Sequence, residues 1–427
     1  MNKLHHFSFM QKSQLLVFFL TLSAFSGNTQ SYPEQYLQQA IENNPGLQAQ
    51  QKAWEVAQHQ QAIAASLPDP TLSVGFFTPP MERLMGNQWF DVGLMQMFPW
   101  PGTLGKQKSV AEILAEREYH QFRDHRNRLF LDMTRLWLDI YRKEQELEII
   151  VRYRNIIQAR EDIIYTRYMG GHQASGLALD LYRLEIQLES LDNRENRIRE
   201  EHESLVERFN ILTGREKREP IEVPDSLPAF KPLTIDHIPD SDSFVSNPQL
   251  NSAQAEASAA VILQQLSRLK TRPMLGVGLQ YAYFAPGEES MGQMDGGHML
   301  MPMVSLSLPI FRSKNQATQH QGRLLSEAAY FRQADRINAL QTQWSSFRAN
   351  INTLQQDQVF YKRQLEITSK ALDLVINAYA SGSEGFEELL RILDQLLDIE
   401  WRILETQIDQ YKAKADMDML LARNIFK

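Results

Sequence analysis

The chain has no cysteine in its 427 residues, which excludes disulfides, thiolate metal sites and a lipidated N-terminal cysteine together. It also lacks a long apolar run. The one sustained stretch, Leu15 to Ser26, is shorter than the about 20 residues a membrane-spanning helix needs. Basic excess is missing too: the formal net charge is −8, so charge argues against nucleic acid as a partner. No glycine-rich phosphate loop is present, and energy for any transport would have to come from another protein. Catalytic constellations are absent as well. His120 and His125 are five apart, do not share a helix face cleanly and carry no His-Glu-x-x-His pattern. Both are read as coiled-coil surface residues, and neither a cofactor nor an enzymatic activity is expected.

What is present begins with an export signal. Lys3 and Lys12 precede the apolar run, and the small residues Ser23, Ala24, Ser26 and Gly27 follow it, the layout of a secretory signal peptide over residues 1–30. Its removal takes away two lysines and no acid, moving the net charge from −8 to −10. An exported chain of this kind is either soluble in the periplasm or built as a membrane β-barrel.

The chain then repeats itself. Asn44-Pro45 recurs as Asn247-Pro248, and Pro70 with TLSVGF recurs as Pro273 with MLGVGL, both at an offset of 203. Phe98-Pro99 recurs as Leu308-Pro309 at 210, and Tyr168 with Gly171 recurs as Tyr379 with Gly382 at 211. Four markers in one order at nearly constant offset mean two copies of one unit. The first copy spans 31–218, the second 241–427, and the proline-rich stretch 219–240 links them.

Each copy reads as helix, strand, strand, very long helix and return helix. The opening helices are placed at 33–66 and 246–270, with Asn-Pro near each start. The hairpins are placed at 71–98 and 274–309. The long helices, 103–167 and 314–380, carry almost no glycine or proline, and at about 1.5 Å per residue each is about 100 Å long. Apolar residues at roughly heptad spacing suit a coiled coil. Gly170-Gly171 and Ser381-Gly382 break these helices, and return helices follow at 175–213 and 386–424.

The strands alternate. Leu275, Val277, Leu279, Tyr281 and Tyr283 oppose Gly276, Gly278, Gln280 and Ala282; Phe90, Val92, Leu94 and Phe98 oppose Asp91, Gly93, Met95 and Met97; Pro302, Val304, Leu306 and Leu308 oppose Met301, Met303, Ser305 and Ser307. A soluble sandwich alternates in the same way. The export signal and the long helices favour a transmembrane barrel, and four strands cannot close one, so several chains would share it. In Pro99-Trp100-Pro101-Gly102 the prolines lack the N–H that ladder pairing needs and the glycine permits a sharp turn. This stretch, with Pro309 in the second copy, would end the strands at the membrane edge, with Trp100 at the interface.

At this point the chain resembles a known family. The two-fold repeat, NNPGL and SNPQL opening its copies, FPWPG and LPIF ending the hairpins and FNILTG at 209–214 closing the first copy are similar to the TolC-like outer-membrane efflux factors. The QMFPWPG form is nearest the cation-efflux branch. The resemblance implies a mainly α fold with a transmembrane β-barrel portion, built as a homotrimeric α/β channel in the outer membrane and reaching into the periplasm. It implies contact with outer-membrane lipid, a periplasmic adaptor (membrane fusion) protein and an inner-membrane pump of the RND type. The tips at Gly170, Gly171, Ser381 and Gly382 would meet the adaptor. The periplasmic constriction would involve Tyr379, Glu388 and, in the first copy, Asp180; Arg391 stands where the family pattern has a second acid, which breaks a doubly acidic ring.

One further segment bears on cargo. SMGQMDGGHMLMPM, 290–303, brings together Met291, Met294, His298, Met299, Met301 and Met303. Thioether and imidazole groups suit Cu(I) or Ag(I), so these residues are a candidate soft-metal contact; methionine is equally common as filler in loops and barrel interiors. The function expected is a passive export duct of a tripartite efflux system, for heavy-metal cations. The alternatives are a drug or type I protein-secretion duct of the same fold, and a periplasmic coiled-coil scaffold.

Overall fold

The computed structural model describes residues 34–83, 86–169, 174–228, 230, 241–286, 296–381 and 383–422. The expected export signal at 1–30, Gly170, Gly171, Gly382, Met291 and Met294 lie outside them.

Seven helices and four strands alternate in two matching series among the described residues. The first comprises α1 (Glu34–Asn43), α2 (Pro45–Ala65), β1 (Thr71–Arg83), β2 (Gly86–Phe98), α3 (Thr103–Met169) and α4 (Ala174–Thr213). A 3-10 turn (Ser241–Phe244) leads into the second: α5 (Pro248–Leu269), β3 (Met274–Ala285), β4 (Gly297–Ser307), α6 (Arg312–Ser381) and α7 (Phe386–Leu420). Helices α3 and α6 have 67 and 70 residues, each about 100 Å long.

Two expectations need correction. The first opening helix is not continuous over 33–66, because Asn44 caps a new helix whose first residue is Pro45; the chain breaks there between α1 and α2. Pro45 has no N–H to give the preceding turn, and its ring restricts the residue before it. Strand β4 ends at Ser307, so Leu308 and Pro309 lie beyond the alternation rather than within it.

Both Asn-Pro pairs do the same two jobs. Asn44 Oδ1 accepts from Leu47 N at 3.0 Å while its Nδ2 donates to Leu212 O at 3.0 Å, near the end of α4. Asn247 Oδ1 accepts from Gln249 N and Leu250 N, and its Nδ2 donates to Leu420 O at 2.8 Å, the last residue of α7. One side chain thus caps the opening helix and ties it to the end of the return helix of the same copy. Gly214 closes the first tie: its φ is +72°, and a Cβ there would lie 2.4 Å from Asn43 Cβ. Only glycine fits a left-handed helix terminus pressed this closely against a neighbour.

Three apolar clusters hold the helices together. One gathers Tyr36, Phe130, Met133, Trp137, Phe209 and Ile408; a second packs Phe244, Leu250, Leu340, Trp344, Ile351 and Met417. The third lies toward the far ends of α3 and α6 and includes Tyr153, Ile157, Leu184, Tyr379, Phe386 and Leu393. The segment after α4 is strapped to the first cluster. Glu222 N–H donates to Tyr36 Oη at 2.9 Å, Trp137 Nε1 donates to Glu222 O at 3.1 Å, and Tyr411 Oη donates to Pro228 O.

The strands form one antiparallel sheet in the order β1-β2-β3-β4. The central β2–β3 pairing joins the two copies, leaving β1 and β4 as edges. Helix exteriors carry no membrane-spanning stretch: among the described residues no helix is long and apolar enough to cross a bilayer.

Replacing Asn247 by Ala removes the cap and strands the buried Leu420 carbonyl, an expected loss of about 2 kcal/mol. Denaturant unfolding in detergent would read it, with Lys52→Ala on exposed α2 costing under about 0.5 kcal/mol as the reference.

Candidate functional site

The sheet has two chemically distinct faces because register and the two-residue period coincide. Across all four strands, Leu72, Leu94, Leu279 and Pro302 form one row, and Val74, Val92, Tyr281 and Leu300 the next. Most of these side chains are exposed; Leu72, Leu94, Leu279 and Leu300 all leave about half or more of their surface open. The opposite face carries Ser73, Gly93, Gln280 and Met301 in one row and Thr71, Met95, Gly278 and Met303 in another, with Asp91 hydrogen-bonded to Gln280. Strands of 11 to 13 residues reach or exceed the about 9 to 11 that a tilted membrane strand requires. An apolar outer band and a polar or small inner face are the arrangement of a membrane barrel wall.

Aromatic groups mark the band's two ends. Away from the helices, Phe90 stacks on Tyr283 at 5.8 Å, and His298 lies against Tyr281 and Tyr283 at 5.7 and 5.6 Å. At the helical end, Trp100 is 41% exposed between Pro99 and Pro101, and Ile310 and Phe311 are exposed in the corresponding corner of the second copy. Here Gly102 has φ +85°, and Thr103 N–H donates to Trp100 O at 3.0 Å, so the strand-to-helix corner is a tight hydrogen-bonded turn. Asn315 Nδ2 donates to Pro309 O at 2.8 Å in the matching corner of the second copy.

The candidate soft-metal group does not come together as expected. His298 is on the apolar face, its Nδ1 hydrogen-bonded to Tyr281 Oη, whereas Met299, Met301 and Met303 alternate onto the inner face. An even-numbered residue and three odd-numbered ones in one strand cannot share a face. What the inner face adds is Met95 and Met97 from β2; Ser305 Oγ lies 3.6 Å from the first sulfur and 3.8 Å from the second.

The second region is the tip where α3, α4, α6 and α7 end or begin. Tyr379 is 4% exposed and packs on Phe386 at 5.6 Å between ring centres, so it holds the turn together rather than presenting its ring outward. Ser381 is exposed, and its Oγ donates to Ala378 O at 3.0 Å. Arg183 joins the two return helices, reaching Asp180 on its own helix at 3.5 Å and Glu387 on α7 at 2.7 Å. Gln187 Nε2 repeats the link one turn on, donating to Asp394 Oδ1 at 2.6 Å.

Glu388 and Arg391 face solvent and pair with each other, Arg391 Nε donating to Glu388 Oε2 at 2.7 Å. The guanidinium holds the Glu388 carboxyl below the usual range. The pair therefore presents little net charge. Asp394 behaves oppositely: burial pushes its carboxyl up, partly countered by Gln187 and Arg194. One expectation about the helices also changes, since His120 is mostly covered, and burial lowers its pKa, while His125 is exposed.

No protein-family profile matches the chain, and no curated protein sequence does. Solved structures do. CusC, whose structures address folding and transmembrane channel formation, matches with a TM-score of 0.77 at 14% identity over 94% of this chain and 95% of that one. The outer-membrane channel OprN matches at 0.75 and 15% over 92% and 90%, and the outer-membrane protein VceC of Vibrio cholerae at 0.73 and 13% over 91% and 95%. The fold is that of the TolC-like outer-membrane efflux factors, a mainly helical chain with a small antiparallel sheet.

Asp394→Asn keeps an acceptor for Gln187 but removes a charge that the fold disfavours. The raised carboxyl is ionised, at a cost, above its folded pKa, and that cost disappears as pH falls through it. The variant should therefore be the more stable chain at about pH 8, with the difference in thermal midpoint shrinking as the pH falls through the folded pKa toward the ordinary aspartate range.

Proposed function

We propose that the protein is the outer-membrane channel of a tripartite efflux system, a passive duct leading from a periplasmic adaptor and an inner-membrane pump of the RND type to the exterior. The observation that carries this reading is the sheet. Four strands with an apolar, exposed outer face and two unpaired edges sit on helices of about 100 Å. Such a sheet is stable in lipid only when copies pair edge to edge, and three copies supply twelve strands.

The helices support the same assembly. On α6, Phe360, Ile367 and Leu374 are exposed at seven-residue spacing, Leu374 by 71%; on α4, Leu179, Tyr182 and Ile186 are exposed at three- and four-residue spacing. These are helical seams of the kind that pack against a neighbouring helix, and a homotrimer covers them. Their presence, with the outward apolar band, weighs against a soluble periplasmic scaffold.

Heavy-metal cations are the proposed cargo. The QMFPWPG form supports that choice over a drug or protein-secretion duct, as do the methionines and Asp91 on the inner sheet face. In a strain lacking the protein, after mild loading, at least one of copper, silver, zinc, cobalt and cadmium should accumulate, and complementation should restore the parental level. Unchanged metals with raised dye or detergent sensitivity would contradict the cation assignment in favour of a drug duct.

A further inference from the structure

The β2–β3–β4 register brings the Met95 and Met97 sulfurs together on the inner face and sets Met303 in the same row as Met95, across Gly278. Met97 lies opposite Gly276, which lies opposite Ser305; Met95 lies opposite Gly278, which lies opposite Met303. The central strand contributes hydrogen atoms where its neighbours contribute thioethers. A Cβ at Gly276 would stand 2.2 Å from Ser305 Oγ, 2.7 Å from Met97 Sδ and 3.1 Å from Met95 Sδ. All three groups thus occupy the space that any other residue on β3 would fill. Met303 reaches across from β4 until its methyl carbon is 3.9 Å from where a Cβ on Gly93 would be, next to Met95 on β2.

Thioethers are soft, neutral donors that favour Cu(I) and Ag(I), while Zn(II) and Co(II) prefer imidazole, carboxylate and water. Among the described residues no group of three or more His, Asp and Glu is placed to hold a metal ion, so hard or borderline cations have no competing site of that kind. The Ser305 hydroxyl is within hydrogen-bonding reach of both β2 sulfurs. It fixes their positions and takes up part of their lone-pair density, which suits a site that must release what it binds if ions are to pass.

We propose that Met95, Met97 and Met303, positioned by Ser305 and by the absence of side chains at Gly276 and Gly278, form a weak thioether site for soft monovalent cations on the inner face of the sheet, near its helical end. Its place on a transport path rests on the channel reading above; the binding itself does not. The site differs from the methionine run at 290–303, sharing only Met303 with it, and it takes two of its three sulfurs from β2.

The full-length protein, labelled with carbon-13 at the methionine methyl groups and held in detergent, is titrated with silver nitrate in chloride-free buffer. The Met95 and Met97 methyl signals, assigned by single Met→Leu substitutions, should shift saturably. Cu(I) should compete and Zn(II) should not. The double variant Met95→Leu/Met97→Leu, close in volume and so expected to fold, should raise the silver dissociation constant by about tenfold or more. Met81→Leu, at the far end of β1, should leave it unchanged. Signals at 95 and 97 that stay fixed while other methionines respond would overturn the site.

Planar-bilayer conductance on the same preparations separates the two claims. Conducting pores without shifts at Met95 and Met97 would overturn the thioether site and leave the channel standing. Saturable shifts in a protein that never conducts would support the site and sink the channel.

Discussion

The proposed channel depends on a constraint of lipid: a backbone N–H or C=O in hydrocarbon has no water to bond, so a sheet there has no tolerable edge. This chain builds four strands and stops, with β1 and β4 unpaired. Every larger feature follows from how that deficit is met. The two hairpins are joined centrally by β2 and β3, so the free edges fall at opposite sides, where identical copies can join in a ring. The alternation that puts Leu and Val on one face and Gly, Ser, Gln and Met on the other is what would let the first meet lipid and the second a lumen in the proposed channel. The proline corners after β2 and β4 convert strand into helix, so in the proposed trimer a closed sheet would continue as a closed tube of helices.

Two copies of one unit meet the demand with modest means. In each, an asparagine caps the opening helix and reaches the final turn of the return helix, bringing start and end together after more than 160 residues. Ion pairs and hydrogen bonds between α4 and α7, notably Arg183 with Glu387 and Gln187 with Asp394, link the copies again at the tip. The two copies are not equivalent there. Asp180 in the first is engaged with Arg183, and Glu388 in the second with Arg391, so the acids read from the sequence as constriction charges are partnered in the single chain.

Much of this was legible beforehand, for reasons specific to particular residues. Strand faces could be read because a period of two is visible in nine residues, and long helices because glycine and proline are almost missing from 103–167 and 314–380. The Asn-Pro pairs announced helix starts, but the break at Asn44 was missed because residues 34–43 read as helical in their own right. The methionine group was misjudged for a related reason. His298 is adjacent in sequence to the methionines of 290–303, but its even number places it on the other face of β4. Met95 and Met97 were seen to share a face, yet their approach to Ser305 requires the register across β3, which joins residues about 210 positions apart and is set by pairing, not by local pattern.

The absence of native cysteine permits a direct test of the shared barrel. Single cysteines introduced on the outer face of β1, Leu72→Cys or Val74→Cys, would be combined with Leu300→Cys or Val304→Cys on β4, and the cells oxidised. Within one chain these edges are separated by two strands, whereas in the proposed ring paired edges of neighbours would come within the about 4.4 to 6.8 Å between Cα atoms that a disulfide spans. The expected result is a ladder of cross-linked species in the outer-membrane fraction that ends at the trimer for at least one pairing. A protein recovered soluble and monomeric, with no cross-link at any pairing, would contradict it.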